Sequence, residues 1–353
     1  MWRHATAFAA SGTVREGIAR LRVIAQHDAP AFDSVHPSTC VVHVRAACVN
    51  YVDLLMLSNS YQHMPNFPWT PGLEWSGTII NLGEEAHRAG WRVGMNVTGN
   101  GSGLSSVIFR DYRELMRMPE AFSYAEAAGF WVGMSTAYHV LVERANLKKN
   151  ERVLVNGATG GMGMAACLLA KKIGAHVYAT GGSDLKLARV AEFAGIPREH
   201  CINYTENSNF SSFIKERTNA QGVDVVFDPV GGSAGLEGLK STAWGARYCI
   251  VGFTSGTRQL LKSNYVLIKG LSVLGCRAGE FVRQSEDSDS LQQHRRERLL
   301  AWAKEDGLTP LIDREYAFTT EGVQACFLDI LERKVVGRAV VTMPALEQSS
   351  SCL

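Results

Sequence analysis

The chain has 353 residues, 46% of them hydrophobic and 20% charged, a balance that builds a sizeable core and excludes disorder, collagen and a coiled coil. Its length favours two ordinary domains over one. With 36 basic and 34 acidic residues the formal charge is +2, too weak a global field to hold nucleic acid or an anionic membrane. Apolar stretches such as Met164 to Ala170 stop far short of the roughly 20 residues that cross a bilayer. The apolar part of the start, Ala5 to Ala10, is too short for a secretory signal. A soluble, cytoplasmic protein is expected. The eight cysteines contain no Cys-x-x-Cys pair, and most lie in apolar runs where a reduced thiol acts as a small hydrophobe.

Along the first 150 residues, short strand-like runs such as Cys40 to Ala46 and Gly77 to Ile80 alternate with Gly and Pro turns, an irregular and mainly β pattern. Beyond them, apolar strands alternate with amphipathic helices. Arg152 to Asn156, helix 163 to 173, His176 to Thr180, helix 184 to 194, Cys201 to Tyr204, helix 208 to 219 and Val223 to Asp228 follow in turn. That alternation predicts an α/β fold with a doubly wound parallel sheet. Gly174 and Gly195 stand where helix C-caps belong. Near Pro310 the pattern returns to strand (Ile312 to Phe318), helix (Glu321 to Arg333) and strand (Arg338 to Met343), so the tail is expected to rejoin the first half. Gln284 to Ser290 and Gln348 to Ser351 read as exposed loop and frayed terminus. The basic run His294 to Arg298 reads as one solvated helix face.

The sharpest motif is Val153-Leu-Val-Asn-Gly157-Ala158-Thr159-Gly160-Gly161-Met162-Gly163, a strand running through a glycine turn into a helix. A dinucleotide needs such a turn because backbone must approach its pyrophosphate closely, and the helix N-terminus supplies unpaired N–H groups there. The second strand ends Tyr178-Ala-Thr-Gly181-Gly182-Ser183-Asp184-Leu-Lys186, with glycine where an acid that holds the ribose of NAD is expected. Hydroxyl and ammonium groups at Ser183 and Lys186 favour a 2′-phosphate, hence NADPH. Lys186 also reads as a solvated helix lysine, and Asp184 as the N-cap of the next helix.

With these residues the chain resembles the zinc-free quinone oxidoreductase and enone reductase branch of the medium-chain dehydrogenase/reductase superfamily. Ala46-Ala47-Cys48-Val49-Asn50-Tyr51-Val52-Asp53 resembles its Asn-x-x-Asp motif, and Pro71-Gly72-Leu73-Glu74 its Pro-Gly-x-Glu segment. Met134-Ser135-Thr136-Ala137-Tyr138 resembles its Leu-Thr-Ala-Tyr helix. Asp228-Pro-Val-Gly231-Gly232, Ile250-Val-Gly252-Phe253, Gly275-Cys-Arg277 and Val335-Val-Gly337-Arg338 follow in family order. The resemblance implies a chaperonin-10-like (GroES-like) β catalytic domain at 1–128 and 311–353, a Rossmann NADP-binding domain at 129–310, an active site in the cleft between them, and a homodimer.

By the same register, the ligands of the catalytic zinc in related alcohol dehydrogenases fall at Asn50, Leu73 and Val132, none able to replace a thiolate or imidazole. No metal is expected. Without a Lewis acid, the chemistry left is hydride delivery to an acceptor that is already electrophilic, a quinone or the β-carbon of an α,β-unsaturated carbonyl. Catalytic candidates are Tyr61, placed where the family has a tyrosine near the nicotinamide, and Asn50, an amide donor. Tyr61 reads equally as a packed aromatic. Asp53 is assigned to fixing local backbone and Glu74 to structure. For the cofactor, the resemblance implies Thr136 at the carboxamide and Tyr204 near the 2′-phosphate, with Phe253 and Arg277 after later strands.

The competing expectation is a protein that binds NADPH with little turnover, as lens crystallins of this branch illustrate. A second address is also open, because the final Ser351-Cys352-Leu353 is one residue from the Ser-Lys-Leu peroxisomal signal.

Overall fold

Residues 2–26 and 35–345 are described in the structure, a computed structural model. The stretch Gln348 to Ser351 and the terminal Ser-Cys-Leu lie outside the described residues. The chain divides into two compact units, Met1–Val132 with Ile312–Leu353, and Gly133–Leu311.

In the second unit, the runs Val153-Leu-Val155 and Val225-Val-Phe227 are wholly buried, as strands covered by helices on both faces require. Six parallel strands form its sheet: Arg152–Val155, His176–Gly181, Cys201–Asn203, Val223–Asp228, Thr242–Ile250 and Ser272–Gly275. In space, the third strand lies beside the second, then come the first, fourth, fifth and sixth. This is the doubly wound dinucleotide order. Gly174 and Gly195 cap their helices in the left-handed region at φ 88° and 62°, where a side chain is disfavoured.

Several elements differ from expectation. The helix expected at 163 opens at Gly161, because the glycine turn is itself the first helical turn. The helix expected over 208–219 is Phe210–Arg217; it stops where the Thr218 hydroxyl bonds back to the Ile214 carbonyl, and Asn219 and Ala220 take positive φ. Gln284 to Ser290 is not a loop throughout, since helices Ala278–Gln284 and Ser288–Asp306 meet across Ser285 to Asp287. Nor is the basic run fully solvated. Arg295 is 5% exposed, and its guanidinium grips Glu143 at 3.1 and 2.8 Å. That carboxylate also bonds the buried His139 ring at 2.7 Å.

The first unit is built around Thr39–Cys48, which pairs antiparallel with Glu74–Leu82, Val107–Asp111 and Arg338–Thr342. The last of these pairs in parallel with Ile312–Ala317. Its core joins Val42, Leu54, Trp75 and Ile79 from the first part of the chain to Val323, Phe327 and Val341 from the tail. Among the described residues no helix is long and apolar enough to cross a membrane.

Candidate functional site

In the second unit the strand Arg152–Val155 delivers its glycine turn at the carboxyl end of the sheet. Gly157 has φ +61°. A Cβ on Gly163 would lie 2.3 Å from the Gly157 carbonyl oxygen, so helix and turn meet backbone to backbone. At Gly160 the outcome is opposite. A Cβ there would meet nothing nearer than 3.7 Å, and Gly160 is the helix N-cap without a side-chain oxygen to occupy the terminal N–H groups. The turn is thus packed from below and open above, the shape a pyrophosphate needs. Ala158 faces inward, fully buried, with its N–H given to the Thr180 carbonyl. The Thr159 methyl lies 2.8 Å from where a Gly181 Cβ would stand. Gly161 and Met162 are half-buried at the first helical turn.

Beneath the turn runs a buried polar network that sequence reasoning missed, although Asn156 and Asp228 both sit in motifs it singled out. Thr180 donates to the Asn156 amide oxygen at 3.1 Å, and the Asn156 amide nitrogen donates to Asp228 at 3.2 Å. Asp228 also accepts the Val230 and Gly231 N–H groups and the Tyr248 hydroxyl. Burial, and then the Asp228 carboxylate, push the Tyr248 phenol far up, so it stays a hydrogen-bond donor. The network ties four neighbouring strands together and fixes the height of the turn.

Gly182 and Tyr204 meet beside it, Ser183 follows Gly182, and Lys186 lies in the first turn of the helix Asp184–Ala194. The Tyr204 ring lies against Gly182, its hydroxyl 3.3 Å from where a Cβ would stand, and its N–H bonds the Gly181 carbonyl at 3.0 Å. The helix N-cap is Ser183, not Asp184 as expected, because Asp184 already has helical backbone and occupies the first turn. Its carboxylate is held by Arg198 and Asn203, both at 3.2 Å. Phe253 is 41% exposed and touches the Gly231 turn. Thr136 is half-buried on Trp131–Tyr138, and Arg277 is exposed after Ser272–Gly275, with Glu280 at 3.7 Å. The open glycine turn and the residues beside it fit a nicotinamide dinucleotide.

The first unit carries the other candidates. Asn50 opens the helix Tyr51–Leu57 and is 6% exposed. Its amide oxygen accepts from Arg338 Nη1 at 2.7 Å, and its amide nitrogen donates to Glu74 Oε1 at 3.1 Å. One acceptor contact and one donor contact fix the amide's orientation and leave its second N–H. Arg338 Nη2 lies 3.3 Å from Glu74 Oε1, an ion-pair contact off the hydrogen-bond direction. The other Glu74 oxygen accepts the Val132 N–H at 2.8 Å. Two of the three zinc-ligand positions, Asn50 and Val132, therefore serve this buried pair. Among the described residues no group of three His, Cys, Asp or Glu could hold a metal ion.

Asp53 accepts the Asn50 and Gly72 N–H groups at 2.8 and 3.0 Å, stitching the helix to the Pro71-Gly72 turn. Burial raises its pKa to about 6 despite these bonds. Tyr61 is half-buried and meets the His63 ring edge-on, centroids 6.3 Å apart.

With the geometry in place, likeness to known proteins decides the family. Residues 36–151 match the alcohol dehydrogenase GroES-like domain and 161–293 the zinc-binding dehydrogenase domain. Quinone oxidoreductase-like protein 2 of Bos taurus is 32% identical over 314 residues, covering 88% of this chain and 86% of its own. The chain belongs to the zinc-free quinone oxidoreductase branch of the medium-chain dehydrogenase/reductase superfamily. Among solved structures, CurK enoyl reductase superposes with a TM-score of 0.81 at 25% identity, covering 97% of this chain and 99% of its own. The Escherichia coli quinone oxidoreductase complexed with NADPH shares the fold, with a TM-score of 0.81 at 21% identity over 96% of this chain and 99% of its own. Membership makes this chain an oxidoreductase and assigns its Rossmann unit to a nicotinamide cofactor.

Proposed function

We propose that the protein is an NADPH-dependent reductase that delivers hydride, without metal, to a quinone or to the β-carbon of an α,β-unsaturated carbonyl. The observation that carries this reading is the second unit's glycine turn. It is open above Gly160, Tyr204 lies against Gly182, Ser183 and Lys186 stand at the start of the next helix, and the Asp184 carboxylate there is already tied. When bound, NADPH would supply the hydride with its electron pair.

The chain's own residues do the rest. The uncapped helix start at Gly161 and its dipole would hold the pyrophosphate, and Lys186 with Ser183 would favour the 2′-phosphate over a bare ribose. In the first unit, Tyr61 and the remaining Asn50 N–H serve as donors to the substrate oxygen as negative charge develops on it. Arg338 strengthens the second donor, because a guanidinium on the amide oxygen draws electron density away from the amide nitrogen. At Asn50, where zinc enzymes place a ligand, this chain has a polarised amide donor. That exchange suits an acceptor that needs an oxygen stabilised and no alcohol ionised.

The test is steady-state NADPH oxidation over a panel of quinones, enones and enoyl thioesters. Turnover with at least one of these acceptors, slowed by Tyr61→Phe or Asn50→Ala, is expected. Tight NADPH binding with no turnover on any of them would replace this reading with that of a cofactor-binding protein.

A further inference from the structure

Asp184 poses a difficulty for any 2′-phosphate site. It is the first residue of the helix Asp184–Ala194, next to Ser183 and two residues from Lys186. A free carboxylate there would repel a phosphate. Both carboxylate oxygens are engaged, one from the following crossover and one from the strand it leads into. Arg198 Nη2 donates to Oδ1 at 3.2 Å and to the Asp184 carbonyl at 3.1 Å, while Asn203 Nδ2 donates to Oδ2 at 3.2 Å. The Asn203 amide cannot flip away without loss, because its oxygen accepts from the Thr205 N–H and hydroxyl at 3.1 and 2.6 Å.

An ion pair this exposed, 47% and 50% for the two side chains, contributes little to stability. Its effect is on local charge. Lys186, Arg198 and Asp184 together carry one positive charge in excess, and without Arg198 they carry none. Charges this close to one another fall within the Debye length of about 8 Å at physiological salt, so a bound phosphate senses the difference.

We infer that Arg198 is a specificity-determining residue that masks Asp184, so that a chain retaining an acid beside its ribose pocket still prefers the phosphorylated cofactor. This inference rests on the NADPH reading above. It is tested by titrating NADPH and NADH separately into the full-length protein and following binding by cofactor fluorescence, with no substrate present. Arg198→Ala should weaken NADPH about tenfold and NADH less than about twofold, with the gap wider at low ionic strength. Arg198→Lys should stay near wild type. The double variant Arg198→Ala with Asp184→Asn should regain most of the lost NADPH affinity, because the charge to be masked is gone.

Equal weakening of both cofactors by Arg198→Ala, or a double variant no better than the single one, would overturn the inference. Lys186→Ala keeps the two levels apart. If it weakens both cofactors equally, the NADPH reading itself fails. If it is selective for NADPH and Arg198→Ala is not, only the role of Arg198 falls.

Discussion

Each unit of this protein places a buried polar cluster beside its candidate residues, and the two clusters are built on different physics. In the Rossmann unit, Thr180, Asn156, Asp228 and Tyr248 form a chain of hydrogen bonds with one ionisable carboxylate, fed by backbone N–H groups and a phenol. In the β unit, Asn50, Glu74 and Arg338 hold a full ion pair, with the Asp53 carboxylate beside it, all nearly sealed from water. A network with no side-chain cation, its one carboxylate met by N–H and O–H donors, positions backbone. One with a full ion pair also sets a field, at the cost of making each partner depend on the others. The difference matches the tasks proposed for them: one sets the height of a phosphate turn, the other polarises an amide donor.

The comparison breaks most visibly at Arg338. Arg338→Ala leaves Glu74 buried without its cation, and loss of one partner of such a pair costs about 3–5 kcal/mol. Asn156→Ala, which breaks the hydrogen-bonded network, should cost only about 1–3 kcal/mol. Urea denaturation followed by tryptophan fluorescence measures both. Replacing Glu74 and Arg338 together, by Leu and Met, should recover most of the stability and leave the Asn50 amide unpolarised. If Arg338→Ala proves no worse than Asn156→Ala, the β-unit cluster is solvated and its field is weak.

The two clusters also differ in how far they could be read in advance. The Rossmann strands announce themselves because full burial demands unbroken apolar runs, and Val223–Asp228 has the expected bounds. Glycine marks the turn, and Gly174 and Gly195 the helix ends, through a backbone preference that needs no partner. Asp53 could be read as a backbone stitch because one partner, Asn50, is three positions away. The ion pairs could not be read. Arg338 reaches Asn50 across 288 positions and Arg295 reaches Glu143 across 152, and a lysine-like solvated arginine has the same local sequence as a buried one. Arg198 was hidden for a milder reason: its partner lies one crossover away, and an acid at a helix start is already explained by the helix dipole.

Titration sharpens the contrast, because the units carry carboxylates shifted in opposite directions. Burial raises Asp53 from 3.8 to about 6, so the folded protein holds that proton more tightly than the unfolded chain. The stabilisation is whole below pH 3.8 and is lost as pH rises through 6, an effect of about 3 kcal/mol for a shift of this size. Burial pushes Glu143 upward too, but the His139 hydrogen bond and the Arg295 guanidinium together hold it below its ordinary value. Its contribution is present above pH 4.5 and is lost as pH falls through the lowered value. The stability difference between wild type and Asp53→Asn should therefore shrink from pH 4 to pH 6.5, and that for Glu143→Gln should grow over the acid end of the range. A difference for Asp53→Asn that does not change with pH would mean the carboxylate stays ionised throughout.

The smallest effect is expected within the glycine turn, where two residues three positions apart answer to different demands. Gly163 is glycine because of the protein, since a Cβ there would sit 2.3 Å from the Gly157 oxygen and 2.7 Å from the Ala158 Cα. Neither contact can be relieved by turning a side chain. Gly163→Ala should cost about 1–3 kcal/mol of stability as the helix is pushed off the turn, and nucleotide affinity should fall with it. Gly160 is glycine because of the ligand, as its Cβ position is open in the protein alone. Gly160→Ala should leave thermal stability within about 0.5 kcal/mol of wild type and still weaken NADPH and NADH alike by about tenfold, because the added methyl occupies space that the pyrophosphate approaches. Thermal melts and cofactor titrations on the two variants separate the roles. A Gly160→Ala protein with normal affinity for both cofactors would show that the pyrophosphate does not lie over that turn, and the assignment of the whole motif would fall with it.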